Sequence, residues 1–141
     1  MPGQRRSKQD SWAIVKDYAA ARPEAFGGAY VGGEGEAAIV TLWTDDPAPH
    51  REALTRETGR RVDARQVRWS FAYLEQLHGR VAEEMEQLVA EGIAVCLVGD
   101  NVMDNCVDIG VTGLTPAISQ LLTERFGAGL NIFEEEIIAA T

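Results

Sequence analysis

The feature that most constrains this chain is an internal repeat. Residues 54–59, Leu-Thr-Arg-Glu-Thr-Gly, recur as residues 122–127, Leu-Thr-Glu-Arg-Phe-Gly, at an offset of 68 positions. A strand pattern recurs at an offset of 69, with one residue absorbed in a loop, and it matches Ala38, Val40 and Leu42 to Val107, Ile109 and Val111. Because a solenoid needs three or more repeats, two copies indicate a duplicated domain.

The elements around the repeat follow the same order in both halves. Clusters of glycine, proline and aspartate separate short runs of β-branched and aromatic residues, which is typical of hairpins. Each half therefore predicts a β-β-α-β unit. The first has strands at 26–31, 37–43 and 62–68 with a helix that starts at 45–47 and ends near 58; the second has strands at 93–98, 105–112 and 130–134 with a helix at 116–126.

Two further helices complete the predicted fold. Apolar side chains step by three and four positions over residues 71–91, which predicts a long amphipathic helix that ends at Gly92. After a polar start at residues 1–9, Asp10 or Ser11 can cap a short helix. We therefore expect an α+β fold with two β-β-α-β units, each built on a small antiparallel or mixed sheet, and with segment boundaries at 1–24, 25–69, 70–92 and 93–141.

Charge is distributed unevenly along the chain. The net charge is −9, but residues 1–68 carry 11 basic and 10 acidic residues, whereas residues 69–141 carry 2 basic and 12 acidic residues. An acidic half repels phosphate backbones, so we expect no general nucleic-acid binding, and we expect a partner with a basic surface. No apolar run approaches the roughly 20 residues that span a bilayer, and the basic start has no apolar stretch behind it, so we expect a cytoplasmic protein without a membrane partner.

The two cysteines, Cys96 and Cys106, have too few neighbouring ligand residues for a zinc site, so no metal or cofactor is expected. Alternation of apolar residues predicts that Val95 pairs with Val107 across the second hairpin, and this register sets Cys96 opposite Cys106. We expect two free thiols under reducing conditions.

No group of residues predicts catalysis more strongly than an ordinary structural role. Residues 32–35 are glycine-rich but too short for a phosphate loop, and a hairpin turn explains them. His50 lies early in a short helix, and no activated serine or cysteine is indicated beside it. Asp108 is a charge within a strand, so its face must be open to water or to a partner. The residues argue against an enzyme, and the candidates for acid–base chemistry are Asp108, Asp100, Glu83 and His78.

Three stretches carry a family resemblance: residues 26–31 (Phe-Gly-Gly-Ala-Tyr-Val), residues 67–74 (Val-Arg-Trp-Ser-Phe-Ala-Tyr-Leu) and residues 104–111 (Asp-Asn-Cys-Val-Asp-Ile-Gly-Val). In this order, they resemble the pro-regions of α-lytic-protease-like and streptogrisin-like secreted serine proteases, and also stand-alone bacterial proteins with the same pattern. The resemblance covers about residues 26–135. We expect the stand-alone proteins to be the closer analogy, because these 141 residues contain neither a protease domain nor a signal peptide.

The resemblance implies two small α+β units that grip a protease domain, assist its folding and inhibit it. In that family the edge of the C-terminal sheet adds to the protease and the C-terminal tail lies in the active-site cleft. By this analogy, the partner-binding residues are Leu130, Ile132 and Phe133 in the last strand and Ile137 and Ile138 in the tail.

Three functional hypotheses follow. The first is a non-catalytic protein- or peptide-binding module that engages a basic partner through this edge and tail, with Asp104 and Asp108 contributing. The second is an accessory or immunity protein of peptide natural-product biosynthesis that binds a small peptide between the two sheets, with weak catalysis as an option. Its ligand-cleft candidates are Tyr30, Trp43, Trp69 and Tyr73. The third is a homodimer that pairs its C-terminal strands.

Overall fold

A computed structural model describes residues 8–32 and 38–136 of the chain. The chain divides into two compact units, Met1–Ala72 and Tyr73–Thr141. Each unit contains one three-stranded mixed sheet, which confirms the expected α+β class and the two β-β-α-β arrangements. No helix among these residues is long and apolar enough to cross a membrane.

The helices and strands are as follows. In the first unit they are α1 (Lys8–Ala20), β1 (Phe26–Gly32), β2 (Ala38–Trp43), α2 (Pro47–Thr58) and β3 (Val62–Gln66). α3 (Phe71–Glu83) begins in the last two residues of the first unit and continues into the second. The second unit also contains α4 (Met85–Ala90), β4 (Ala94–Asn101), β5 (Cys106–Thr112), α5 (Pro116–Phe126) and β6 (Leu130–Glu134).

Both sheets have the same topology. An antiparallel hairpin is joined by a third strand that runs parallel to the second strand of the hairpin, in the orders β1-β2-β3 and β4-β5-β6. A parallel neighbour requires a crossover connection, and α2 and α5 provide it. The Asp46 side chain accepts a hydrogen bond from the Ala48 amide at the start of α2, and Thr115 caps α5 in the same way through the Ile118 amide.

The register of the second hairpin differs from the predicted one. Val95 lies opposite Val111, not Val107, because a β-bulge between Val95 and Leu97 inserts an extra residue and β4 continues as far as Asn101. Cys106 lies opposite Asn101, so Cys96 is five residues away along β4. At roughly 3.3 Å per residue this is about 16 Å, beyond the ~7 Å that a disulfide spans. The predicted opposition of the two cysteines is therefore wrong, and both are free thiols.

The predicted offset of 69 residues between the middle strands of the two copies is also wrong. Ile39 pairs with Val62 and Val107 pairs with Leu130, so β2 and β5 are related by 68 residues, as are β3 and β6. The offset of 69 belongs to the first strands, β1 and β4, whose bulges occupy equivalent places. Alternation could not show this for β2, because Val40 and Leu42 are buried as fully as Ile39.

The predicted long helix is divided in two. α3 ends at Glu83 and α4 begins at Met85, and Glu84 between them has φ −98° and ψ 2°, outside the helical range. The Glu84 amide donates to the Val81 carbonyl at 3.1 Å, a three-residue step that tightens the chain locally. The Glu84 carboxylate forms an ion pair with Arg125 at 3.1 Å, and this ion pair links the segment between α3 and α4 to α5.

Each unit has its own core. In the first unit, α1, α2 and one face of the sheet enclose Val15, Ile39, Trp43, Leu54, Val62 and Ala64. In the second unit, the buried side chains come from α3, α4, α5, the start of β4 with the residue before it, and one face of β5. They are Leu74, Leu77, Val81, Leu88, Ile93, Val95, Val107, Ile109, Val111, Leu122 and Phe126.

Candidate functional site

The second sheet has a polar face on the side away from its core. Val107, Ile109 and Val111 point into the core, so the residues between them in β5 point the other way. The register places Asn131 beside Asp108 and Phe133 beside Gly110 on this side. We call this surface the acidic face, and its members are Leu97, Asn101, Cys106, Asp108, Gly110, Asn131, Phe133 and Glu135.

Asp108 is the centre of the acidic face. Its carboxylate accepts hydrogen bonds from the side-chain amides of Asn101 at 3.2 Å and Asn131 at 3.0 Å. The same Asn101 amide donates to the Asp104 carboxylate at 3.0 Å. Both donors are neutral, so they orient the carboxylates without cancelling their negative charge. Asp104 and Asp108, both predicted to bind a partner, thus belong to one network.

The negative charge of this network affects the pKa of the Cys106 thiol. Its thiol donates to Asp108 Oδ1 at 3.7 Å. Partial burial, together with the negative charges of Asp108 and Asp104 and this hydrogen bond, raises the pKa of the Cys106 thiol from 9.0 to about 11. The folded state therefore favours the protonated thiol, so this group stabilises the fold below pH 9 and the stabilisation is lost as the pH rises through 11.

Alkylation by iodoacetamide at pH 8 is expected to modify Cys96 well before Cys106. The rise in pKa lowers the thiolate fraction of Cys106 about a hundred-fold, whereas Cys96 is exposed. Asp108→Asn should speed Cys106 labelling several-fold without affecting Cys96, as measured by peptide mass spectrometry. Asp63→Asn in the first unit is the charge-matched control, and equal labelling of Cys106 in all three proteins would contradict the Asp108 contribution.

Three of the four edge strands in the described sheets are protected against pairing with another strand. β1 and β4 contain bulges, which bend a strand and make its edge a poor template. β3 is covered by α2: Arg51 Nη2 donates to the Ala64 carbonyl at 2.6 Å and Thr55 Oγ1 to the Val62 carbonyl at 3.5 Å.

β6 has neither protection. The Gly129 carbonyl accepts from the Val107 amide and the Glu135 amide donates to the Val111 carbonyl, so alternate residues of β6 bond to β5. The backbone groups of Leu130, Ile132 and Glu134 therefore point outward, and they have no hydrogen-bond partner within the described residues.

The matching positions on α5 do not cover β6. Ser119 stands where α2 has Arg51, and Thr123 stands where it has Thr55. Thr123 donates to the Ser119 carbonyl inside the helix at 2.9 Å, and the neighbouring Gln120 bonds to Glu124. The two copies therefore differ in residue type at the arginine position, and the shared threonine bonds to the third strand only in the first copy.

The remaining acid–base candidates do not join Asp108. Asp100 lies opposite Val107, on the other side of the sheet from Asp108, and its Oδ1 atom is 2.6 Å from Nδ1 of His78. Glu83 is exposed at the last residue of α3. The four candidates thus form one pair, His78 with Asp100, and two separate carboxylates.

The four cleft candidates fall in different environments. Trp43 has no exposed surface, and its Nε1 atom donates to Thr41 Oγ1 at 2.8 Å, so its ring is part of the core and is not available to a ligand. Tyr30 and Trp69 are partly exposed in the first unit, beside Arg65 and Arg68 respectively. Tyr73, in the second unit, donates to the Ala128 carbonyl.

A chain of three polar side chains was not predicted from sequence. The buried His50 lies 2.8 Å from the Tyr18 hydroxyl through Nδ1 and 2.8 Å from Asp45 Oδ1 through Nε2, and its ring stacks on Trp43 with centroids 3.9 Å apart. A carboxylate only accepts, so Nε2–H donates to Asp45, and in the neutral imidazole Nδ1 accepts from the Tyr18 hydroxyl. The arrangement ties α1 to the start of α2, and a separation of 32 residues between Tyr18 and His50 left no local signal for it.

An open groove of about 690 Å³ lies beside Tyr18, lined by Ile14, Asp17, Tyr18, Arg22, Arg56 and Glu57. Its charges are of both signs and most of its lining is exposed, so it favours no ligand class.

The predicted tail residues Ile137 and Ile138 lie outside the described residues. Within the described residues, no cluster of side chains could hold a metal ion. The comparisons with known proteins found no matching family model and no matching curated protein.

Proposed function

We propose that this chain is a non-catalytic binding module that adds an extended segment of a basic partner protein or peptide to β6. The observation that carries the proposal is the open edge of β6, where three consecutive outward-facing positions have unpaired backbone groups within the described residues. An exposed edge of this kind is the usual template for strand addition, because main-chain hydrogen bonds supply the affinity.

Charge favours a basic partner over a second copy of the chain. Residues 73–141 carry 12 acidic and 2 basic residues. Arg125 pairs with Glu84 and Glu91, and Arg80 donates to the carbonyls of Phe126 and Arg125, so both cations are already engaged. Two acidic units would repel each other across a shared edge, which makes the homodimer the weaker hypothesis.

The resemblance to protease pro-regions supports the same mode of binding, since the edge of the C-terminal sheet is the part that engages the protease in that family. A protease is one partner class for this module, and the cytoplasm is its proposed location. An accessory role in peptide biosynthesis is compatible with the same edge, because a peptide precursor can bind as a strand. A catalytic role has less support, because the candidate carboxylates do not converge.

Ile132→Pro tests the proposal. The substitution removes an outward amide donor and places a ring on the edge, while the bonds to β5 come from the neighbouring residues and are retained. We expect at least a ten-fold loss of captured partner from the native lysate, measured by quantitative mass spectrometry with immobilised protein.

Ile132→Val is the matched control, because it keeps the donor and most of the apolar surface. A partner retained equally by Ile132→Pro, with an unchanged circular dichroism spectrum, would place the binding surface elsewhere. Dimers of the wild type that disappear in Ile132→Pro would instead identify a second copy as the occupant.

A further inference from the structure

We infer that the strand added to β6 alternates apolar and basic side chains, with the apolar ones on the core side and the basic ones on the acidic face. This inference rests on strand addition at β6 and specifies the ligand. Side chains of neighbouring strands meet on the same face of a sheet, so the two sides of β6 select two different sets of ligand side chains.

The core side of the edge is apolar. Leu130 and Ile132 are only partly buried, so each leaves apolar surface at the edge of the sheet. The third residue on this side is Glu134, whose carboxylate accepts hydrogen bonds from the Gly113 and Leu114 amides at 3.0 and 2.6 Å. Its charge is held by the backbone beyond β5, so the surface left for a ligand on this side is that of Leu130 and Ile132.

The opposite side presents negative charge and an aromatic ring. Phe133 and Glu135 lean over Gly110, where an added Cβ atom would lie 3.3 Å from the Phe133 ring and 3.2 Å from the Glu135 Cβ atom. No lysine or arginine among the described residues forms an ion pair with Glu135 or Asp108. Lysine or arginine side chains on a bound strand would meet both the ring and these carboxylates.

Backbone geometry also fixes which ligand residues bond to β6. The outward groups of β6 belong to Leu130, Ile132 and Glu134, whose side chains are on the core side. In an antiparallel complex they bond to the ligand residues directly opposite, which are the apolar ones; in a parallel complex they bond to the flanking residues, which are the basic ones. N-methylation of one set or the other therefore reveals both strand addition and direction.

The experiment uses the full chain and a fluorescently labelled octapeptide that alternates lysine and valine, with binding measured by anisotropy at low salt. One comparison peptide has the same composition in two blocks, and the other alternates serine and valine. We expect the alternating lysine peptide to bind at least ten-fold more tightly than either. Glu135→Gln and Asp108→Asn should each weaken it several-fold, while Glu124→Gln, a charge-matched change on α5, should not.

The outcomes separate the ligand chemistry from strand addition itself. If N-methylation of neither the lysines nor the valines weakens binding, the peptide does not add to the edge, and the proposed function fails together with the inference. If one set of N-methyl groups abolishes binding but the block or serine peptide binds equally well, strand addition stands and the alternating basic ligand is overturned. Absence of binding by the alternating lysine peptide also overturns the inference, whereas Ile132→Pro tests the proposed function independently.

Discussion

Trp43→Ala is expected to lower the free energy of unfolding by about 3–5 kcal/mol, the usual cost of removing a fully buried tryptophan. The Trp43 ring has no exposed surface and packs edge-on against Tyr18 and Phe26, with centroids 5.6 and 5.5 Å away. It also covers the face of His50, so its removal leaves a cavity and loosens the contacts that tie α1 to α2. Urea unfolding followed by circular dichroism would measure the change.

Trp12→Ala is the control for this substitution. Trp12 packs at the margin of the same core and is only partly buried, so we expect less than half of the effect of Trp43→Ala. Equal losses from the two substitutions would contradict the central place of Trp43 in the first unit.

The equivalent leucines of the repeat, Leu54 and Leu122, provide the second large effect. Both are fully buried, on α2 and α5 respectively, and each leucine-to-alanine change is expected to cost about 2–5 kcal/mol. Because the two side chains belong to different compact units, the loss should be local. Hydrogen exchange followed by mass spectrometry should show faster exchange in residues 38–66 for Leu54→Ala and in residues 94–134 for Leu122→Ala.

Leu121→Ala is the matched control, because Leu121 is adjacent to Leu122 but 41% exposed. Its effect should be well under half of that of Leu122→Ala. Faster exchange throughout the chain in both core variants, with the same profile, would show that the two units unfold as a single cooperative body.

The boundaries of several elements could be predicted from local sequence. Residues 116–126 and 130–134 were predicted as helix and strand and are confirmed as α5 and β6. Thr115 with Pro116 marks the start of α5, and Gly127 follows its last residue, so local backbone chemistry alone indicates both ends. The break at Glu84 has no such mark, because neither glycine nor proline lies there.

The register of the second hairpin could not be predicted because a bulge reverses the alternation on which the prediction depended. Beyond Cys96, β4 residues point to the opposite side from the one that an unbroken strand would give them, so Leu97 is exposed although Val95 is buried. The residue equivalent to Cys96 in the first unit is Gly27. A glycine within a strand is typical of a bulge, whereas a cysteine gives no such indication.

One feature of the candidate site could be predicted from local sequence, whereas others depend on contacts between residues distant in the chain. That Asp108 faces away from the core followed from alternation within β5, and the structure agrees. The Asn101 and Asn131 amides that hold it come from two other strands and needed the register to be known. The contrast between a covered β3 and an open β6 depends on Arg51 reaching the Ala64 carbonyl, a contact that no local pattern predicts.

A single open edge gives the proposed module a valency of one. Among the described strands, Arg51 and Thr55 cover β3 and bulges distort β1 and β4, so one ligand strand per chain is the limit that the geometry sets. Proteins that expose two complementary edges can polymerise, because each addition presents a new template. A module with one open edge would instead form discrete complexes, and it would cap rather than extend an array of strands to which it bound.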